Sequence, residues 1–265
     1  MFKSNLHTHT TLSDGRNTVR ENIEAALRVG FVSLGISDHS YVEGDDGSID
    51  PDDRLYVSAV REAAAEYEGR IDVFCGIELD ALSECRRELY DYVIASVHLL
   101  RFGGRIYQID CGHEINNEIK ERYLGGSSQL LAEEYYKAVL DHVKRTRPDI
   151  VGHFDLIELH GGVEIDDPEY VKMAVYYAEE TAKYCSRFEV NTGAMGRGMR
   201  PRPYPFRPVL EKLKEIGATV IPSSDCHRIE NINFGFDQVE ALLRDVGFTS
   251  VDRLTKDGFV SDPLF

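Results

Sequence analysis

The sequence predicts an α/β protein built as a (β/α) barrel of seven units, one fewer than the common TIM-like form. Three observations point there. Short β-rich runs alternate with longer helical stretches, the pattern of repeated β-α units around a parallel sheet. The helical stretches open on recognisable capping signals. Histidines and carboxylates recur at the carboxyl ends of the predicted strands, the end at which such barrels assemble an active site.

Taken in order, Phe2 to Asn5 is the first strand, and Thr18 with Glu21 forms a capping box opening a helix whose apolar face carries Val19, Ile23, Ala26 and Leu27. Phe31 to Ser37 is the second strand. Asp50-Pro51 reads as an N-cap with proline at the first helical position, leading a helix to about Tyr67. Asp72 to Glu78 and Tyr92 to His98 are the third and fourth strands, with a short polar helix from Leu82 to Leu89 between them. Two further helices, Glu114 to Leu124 and Gln129 to Thr146, precede the fifth strand, Ile150 to His153. Asp167-Pro168 caps a helix to about Cys185, and Phe188 to Asn191 is the sixth strand. Pro208 and Gly217 bracket the helix VLEKLKEI, Thr219 to Ser223 is the seventh strand, and a helix from Phe236 to Val246 closes the chain.

No internal repeat or hinge-like linker interrupts the 265 residues, so a single domain over 1–265 is the simplest count, with a helical insertion at about 99–149 placed to wall the barrel mouth. Acidic side chains outnumber basic ones 46 to 30, a formal charge of −16 that opposes nucleic acid and anionic lipid as partners. An anionic substrate then requires a local positive site, which divalent cations supply. No apolar run reaches membrane-spanning length, and MFKSNLHTH lacks the regions of a signal peptide, so the expected location is cytoplasmic. Five cysteines without a CxxC pair suit reduced thiols.

The chemistry begins at His7 and His9, which point the same way from an extended segment and can reach one metal ion. Asp38-His39, Glu78, His98, His153 and the pair Asp225 and His227 follow at later strand ends, and together they read as one polynuclear metal site; the stretch that His7 opens also contains Asp14. Glu78 is the bridging candidate, because an unpaired carboxylate ending so apolar a strand is costly to bury. A salt bridge to arginine is its bland alternative, and an ordinary capped turn is that of Asp38-His39. Cys226 faces away from its neighbours as packing, while His113, His142 and His160 end no strand and stand outside the set. After the sixth strand, GRGMRPRPYPFR brings four arginines to the same mouth. Guanidinium forks suit phosphate oxygens, and Arg197 and Arg200 are the substrate-binding candidates.

The succession HTH, SDG, SDH, GIE, SVH, GHFD, EVNT and SDCH resembles the polymerase and histidinol phosphatase (PHP) superfamily over almost the whole chain. RPYPF, SSDCH and the extended segment after SVH resemble its monofunctional histidinol-phosphatase branch. The resemblance implies a distorted seven-unit barrel with a trinuclear centre: His7, His9, Glu78 and Asp225 on the first metal, Glu78, His98 and His153 on the second, and Asp14, His39 and His227 on the third. Some members use a histidine near the place of Asp14, which leaves two or three ions open, and zinc, iron and manganese all suit the donors. The activity implied is hydrolysis of a small phosphate monoester, L-histidinol phosphate, in histidine biosynthesis, with Glu78 and Asp225 in the catalytic set and His227 or a coordinated water protonating the alcohol. Glu114, Glu118 and Glu158 are candidates to attract the substrate's ammonium. The alternatives are a phosphodiesterase or exonuclease of the same superfamily acting on short oligonucleotides, and a noncatalytic metal-stabilised module. The first needs a basic, aromatic-lined track that the sequence lacks outside the arginine loop.

Overall fold

Seven parallel strands follow one another around a nearly closed barrel, and the computed structural model describes residues 2–43 and 47–264 of the chain. The strands are β1 (Ser4–Asn5), β2 (Ser33–Ile36), β3 (Asp72–Asp80), β4 (Tyr92–Ser96), β7 (Ile150–Val151), β8 (Arg187–Asn191) and β9 (Thr219–Ser223), hydrogen-bonded in that order. Closure comes from the first and last strands. Thr8 bridges Cys226 in parallel, the His9 N–H donates to the Cys226 carbonyl at 3.0 Å, and the Asn5 side chain donates to Ser224 Oγ at 2.6 Å.

Helices α1 (Val19–Arg28), α2 (Asp53–Ala65), α4 (Ser128–Thr146), α5 (Pro168–Ala182), α7 (Arg207–Glu215) and α8 (Phe236–Val246) surround the strands, and a single turn, α6 (Gly193–Gly196), follows β8. The Thr18 and Glu21 capping box forms as expected: each side chain receives a backbone N–H of the other residue. Asp50 does not cap α2. Its carboxylate accepts the Asp52 N–H in a turn, and Asp52 takes the cap by accepting from Arg54 N–H, two residues later than expected. The stretch from Leu82 yields a single 3-10 turn, Arg87–Leu89, because Asp80 captures the Leu82 N–H and Arg86 is drawn to Asp52 and Asp53.

Two hairpins were not expected. The first, β5 (Leu99–Phe102) and β6 (Arg105–Gln108), turns on Gly103 and Gly104, both at positive φ, the two-residue geometry that matches strand twist. It leads into α3 (His113–Tyr123) and α4, so the segment between β4 and β7 is strand and helix together. The second, β10 (Ser250–Thr255) and β11 (Gly258–Pro263), follows α8 and inserts Leu254 among Leu6, Phe74, Tyr92, Ile94, Ile150 and Ile221. These side chains fill the barrel interior opposite its mouth. Tyr92 occupies the axis because Gly35 and Gly76 leave it room: a Cβ at either would lie within 2.2 Å of its ring or hydroxyl. The larger apolar cluster packs between strands and helices. No helix of the described residues is long and apolar enough to cross a membrane.

Candidate metal centre

The barrel mouth collects all nine histidines and carboxylates assigned from the sequence. His7 and His9 extend beyond β1, both fully buried, and their rings lie 5.1 Å apart. Glu78 stands at the centre, on β3 and 1% exposed, with its two oxygens divided between two groups. Oε2 lies 3.2 Å from His7 Nε2, 3.5 Å from His9 Nε2 and 2.8 Å from His39 Nδ1. Oε1 lies 2.9 Å from His153 Nε2 and 3.4 Å from His98 Nε2. Asp225 Oδ1 approaches His9 Nε2 at 3.1 Å and His7 Nε2 at 3.7 Å. Asp14 joins from the loop after His9, its oxygens 3.0 Å from His227 Nε2 and 3.6 Å from His39 Nε2.

Three sets of donor atoms fall within 4.8 Å of one another: His7, His9 and Glu78; His39, Glu78 and His98; and His9, Asp14, His39 and His227. Buried nitrogens and oxygens here lack hydrogen-bond partners, among them His7 Nε2, both His9 nitrogens and Glu78 Oε2. Leaving such atoms unpaired costs about 1–3 kcal/mol each, so their convergence fits a group that takes lone pairs. Imidazole nitrogens and carboxylate oxygens together suit divalent cations.

The electrostatics agree. Burial opposes ionisation of Glu78, but His7, His98 and His39 hold its carboxyl well below the usual range. Burial likewise opposes charge on Asp225, and Arg197 with His7 outweighs it. The carboxylates in turn retain protons on the rings: against the effect of burial, Glu78 and Asp80 push His98 up to about 10. His9 is the exception, driven down to about 3 by burial and by His227 and His39, which makes it a neutral donor. Cations entering the site displace protons from the charged rings and take over their role.

Local structure explains the placement. Asp38 is not a donor. Its carboxylate accepts Thr10 N–H at 2.6 Å, Thr10 Oγ1 at 2.8 Å and Ser13 Oγ at 2.5 Å, and so clamps the loop that presents Asp14. Asp225 and His227 share a face for a reason other than strand alternation: β9 ends at Ser223, and Asp225 sits at φ 46°, a left-handed conformation that functional sites tolerate in a non-glycine residue. The strand carrying His153 ends at Val151, so that ring is set by a turn as well.

Two supporting carboxylates escaped the sequence reading. Glu189, 1% exposed, accepts from His7 Nδ1 at 2.5 Å, His153 N–H at 2.8 Å, Asn191 Nδ2 at 2.9 Å and Ser223 Oγ. The cost of burying a strand carboxylate, which singled out Glu78, applied to it equally. Asp80 accepts the His98 N–H at 2.8 Å and lies 3.5 Å from its Nδ1.

The arginines divide. Arg197 lines the cavity, with Nη2 3.6 Å from Asp225 Oδ2 and Nη1 3.5 Å from His227 Nδ1. Arg200 does not line it. Tyr204 pairs back onto Asn191, and this return carries Arg200 and Arg202 to Glu158, 2.8 and 2.9 Å away, with Arg200 stacked on Tyr204. Arg207 is paired with Glu211 and Asp245. Glu158 is thereby consumed, Glu118 is bound to Arg105, and neither they nor Glu114 line the cavity. Cys226 is buried in the core, His142 donates through Nε2–H to the Leu79 carbonyl at 2.8 Å, and His113 packs on His160.

The cavity over this centre measures about 270 Å³. Metal-site residues floor it, and Leu99, Leu156, Leu159 and Met199 give it apolar walls. Asp110, beyond β6, also lines it and keeps one buried oxygen without a hydrogen-bond partner.

Residues 5–193 match the family profile of the PHP domain. The chain belongs to the PHP-domain family. It is 28% identical over 261 residues to a “probable histidinol-phosphatase” of Deinococcus radiodurans, covering 92% of this chain and 94% of that one. A protein of the same designation from Schizosaccharomyces pombe is 24% identical over 279 residues, at 96% and 90% coverage. The crystal structure of histidinol phosphate phosphatase from Lactococcus lactis, complexed with zinc, L-histidinol and phosphate, superposes with a TM-score of 0.71 at 20% identity, covering 97% of this chain and 98% of that one.

Proposed function

We propose that this PHP-domain chain, acting as one domain in the cytoplasm, hydrolyses L-histidinol phosphate to L-histidinol and phosphate. The observation that carries the reading is the cavity's polarity: a floor of imidazoles and carboxylates fit for divalent cations, apolar walls, and a carboxylate, Asp110, with one buried oxygen free of hydrogen bonds. Two or three ions of zinc, iron or manganese, when bound, supply Lewis acidity toward phosphoryl oxygens and acidify a water.

The chain's residues supply the rest. His7, His9 and His39 face one oxygen of Glu78 while His98 and His153 face the other, so Glu78 holds two donor sets in register, with Asp225 beside His7 and His9. Asp14, His39 and His227 form the third set, with His9 beside them. Arg197 presents its guanidinium to the phosphoryl group from the wall beside Asp225, where it adds to charge stabilisation in the transition state. Asp110 faces the ammonium of histidinol, and the leucines pack against its imidazole. His227 has both nitrogens engaged, by Asp14 on one side and by the Asp225 carbonyl at 3.1 Å on the other, which disfavours it as the proton donor to the alcohol.

An oligonucleotide substrate fits less well. Of the described residues lining the cavity, none is phenylalanine or tyrosine, the larger rings of a base-stacking track, and Arg197 is the single arginine there. The test is phosphate release from histidinol phosphate, bis(p-nitrophenyl) phosphate and short RNA, before chelation, after it, and after adding back manganese, iron or zinc. Monoester preference that vanishes on chelation and returns with a cation is expected. Activity surviving complete metal removal, or preference for a diester, overturns the reading.

A further inference from the structure

His153 is held differently from His7 and His98. His7 Nδ1 lies on Glu189 at 2.5 Å and His98 Nδ1 lies 3.5 Å from Asp80, so each of those rings has a carboxylate behind the nitrogen that Glu78 does not face. A histidine that binds a cation commonly gives its second nitrogen to such a partner, which fixes the tilt of the ring. His153 Nδ1 is buried and has no hydrogen-bond partner among the described residues. Its backbone is fixed, with the N–H on Glu189 and the carbonyl accepting from Tyr135 Oη at 3.4 Å, but these bonds leave the ring free to tilt. Among the described residues, the rings beside it are those of His7, His98 and Tyr204. Tyr204 is the one that is not itself a donor to cations, and it meets the imidazole edge to face, at 6.1 Å and 61°.

Tyr204 is itself held from two directions. Its backbone exchanges both hydrogen bonds with Asn191, at 2.8 and 2.9 Å, and just beyond it the Phe206 N–H donates to Asp155 Oδ2 at 2.7 Å. From the other direction, the Arg200 guanidinium stacks on the Tyr204 ring, 3.8 Å from its centroid, and donates to Glu158 Oε2 at 2.8 Å. Glu158 belongs to the 3-10 turn Leu156–Glu158, on the same loop as His153. The contacts therefore close a circle: from His153 along the chain to Glu158, across to Arg200, onto the face of Tyr204 and back to the His153 imidazole. Every side chain in it is buried, Arg200 at 6% exposed and Glu158 at 2%. An ion pair buried this deeply gains little stability over apolar packing, and its best-attested use is to fix a register. We propose that Arg200 is a positioning residue for the metal centre: it holds the Tyr204 ring against His153 and so sets the tilt at which His153 Nε2 meets a cation beside Glu78. The proposal rests on the cation-binding part of the reading above and not on the identity of the substrate.

The experiment is an anaerobic titration of the metal-free full chain with cobalt(II), read by chelator competition for affinity and by visible d–d absorption for the geometry of the bound ion. Arg202 gives the control, since it lies on the same Glu158 oxygen at 2.9 Å without stacking on Tyr204. Lysine at either position keeps a charge on Glu158 but lacks the flat guanidinium that stacks. Arg200→Lys should therefore weaken one class of bound cobalt by about threefold or more and shift its absorption band, while Arg202→Lys stays within about twofold of wild type with an unchanged band. Tyr204→Leu, which removes the ring itself, should reproduce the loss seen in Arg200→Lys. A merely structural role would lower the denaturation midpoint and leave the band where it is. Arg200→Lys indistinguishable from wild type, Arg202→Lys weakened as much as Arg200→Lys, or Tyr204→Leu with wild-type affinity would each overturn the proposal. The two lysine variants decide it even where Tyr204→Leu does not fold. A wild type that takes up no cobalt would overturn the metal reading as well, whereas uptake that is equal in all the chains overturns the positioning role alone.

Discussion

Replacing Glu189 by glutamine should weaken cation binding while leaving the barrel folded. The carboxylate Oε1 receives His7 Nδ1 and Ser223 Oγ, and Oε2 receives His153 N–H and Asn191 Nδ2. A glutamine of the same shape keeps one oxygen and puts an NH2 in place of the other. Whichever way the amide turns, a donor then faces the donors of one pair, and either the His7 ring or the His153 backbone loses its restraint. The negative charge that fixes the His7 tautomer and raises its basicity is lost as well. Carboxylates behind metal-binding histidines are typically worth 10–100-fold in affinity, about 1.4–2.7 kcal/mol. Chelator competition with measured metal content per chain reads the affinity, and circular dichroism checks the fold. Ser223→Ala, which removes one donor to the same carboxylate without touching a histidine, should cost less. A Glu189→Gln protein whose cation affinity lies within twofold of wild type would refute the positioning argument.

Glu78→Gln should lower kcat on histidinol phosphate by about a thousand-fold or more, because one oxygen can no longer serve either the His7 and His39 side or the His98 and His153 side; full activity would refute the bridging role of Glu78. Asp110→Asn should lower kcat/KM for histidinol phosphate about ten-fold or more while leaving p-nitrophenyl phosphate, which has no ammonium, nearly unaffected; equal losses on both would remove Asp110 from substrate recognition. Burial, with Arg145 nearby, lowers the pKa of His142 from its ordinary value, so the folded state binds the proton less readily than the unfolded one. Its contribution to stability is complete at neutral pH and is lost as pH falls below the unfolded value of about 6.5. Denaturation midpoints between pH 7.5 and 5.5 should thus fall less steeply in His142→Gln than in wild type, and parallel slopes would refute the assignment.

Elements whose signals are local were legible. Thr18 with Glu21, Asp167-Pro168, and the Pro208 and Gly217 pair mark helices found within a few residues of the expected bounds, and β9 and α8 match in full. The hairpin on Gly103-Gly104 carried a readable turn signal between two short runs. The hairpin at 250–263 carried less: its polar alternation gives little sign that Leu254 enters a barrel. Asp50 and Asp52 both have the chemistry of a cap, and which one closes the helix depends on a turn that spacing alone does not resolve.

By itself, then, the order of residues determined the alternating architecture and the donor chemistry, since both rest on periodicity and residue type within a few positions. Tertiary structure decided which charges are spent and which are free. Glu189 and Asp80 became supports, Arg200 and Glu158 neutralised one another, Arg197 reached the mouth, and one buried oxygen of Asp110 was left without a hydrogen bond. Those outcomes depend on distances of a few ångströms between residues up to about 220 positions apart in sequence. Coulomb and hydrogen-bond energies change over that range by as much as the interaction itself, so only closure of the barrel between β1 and β9 could set them.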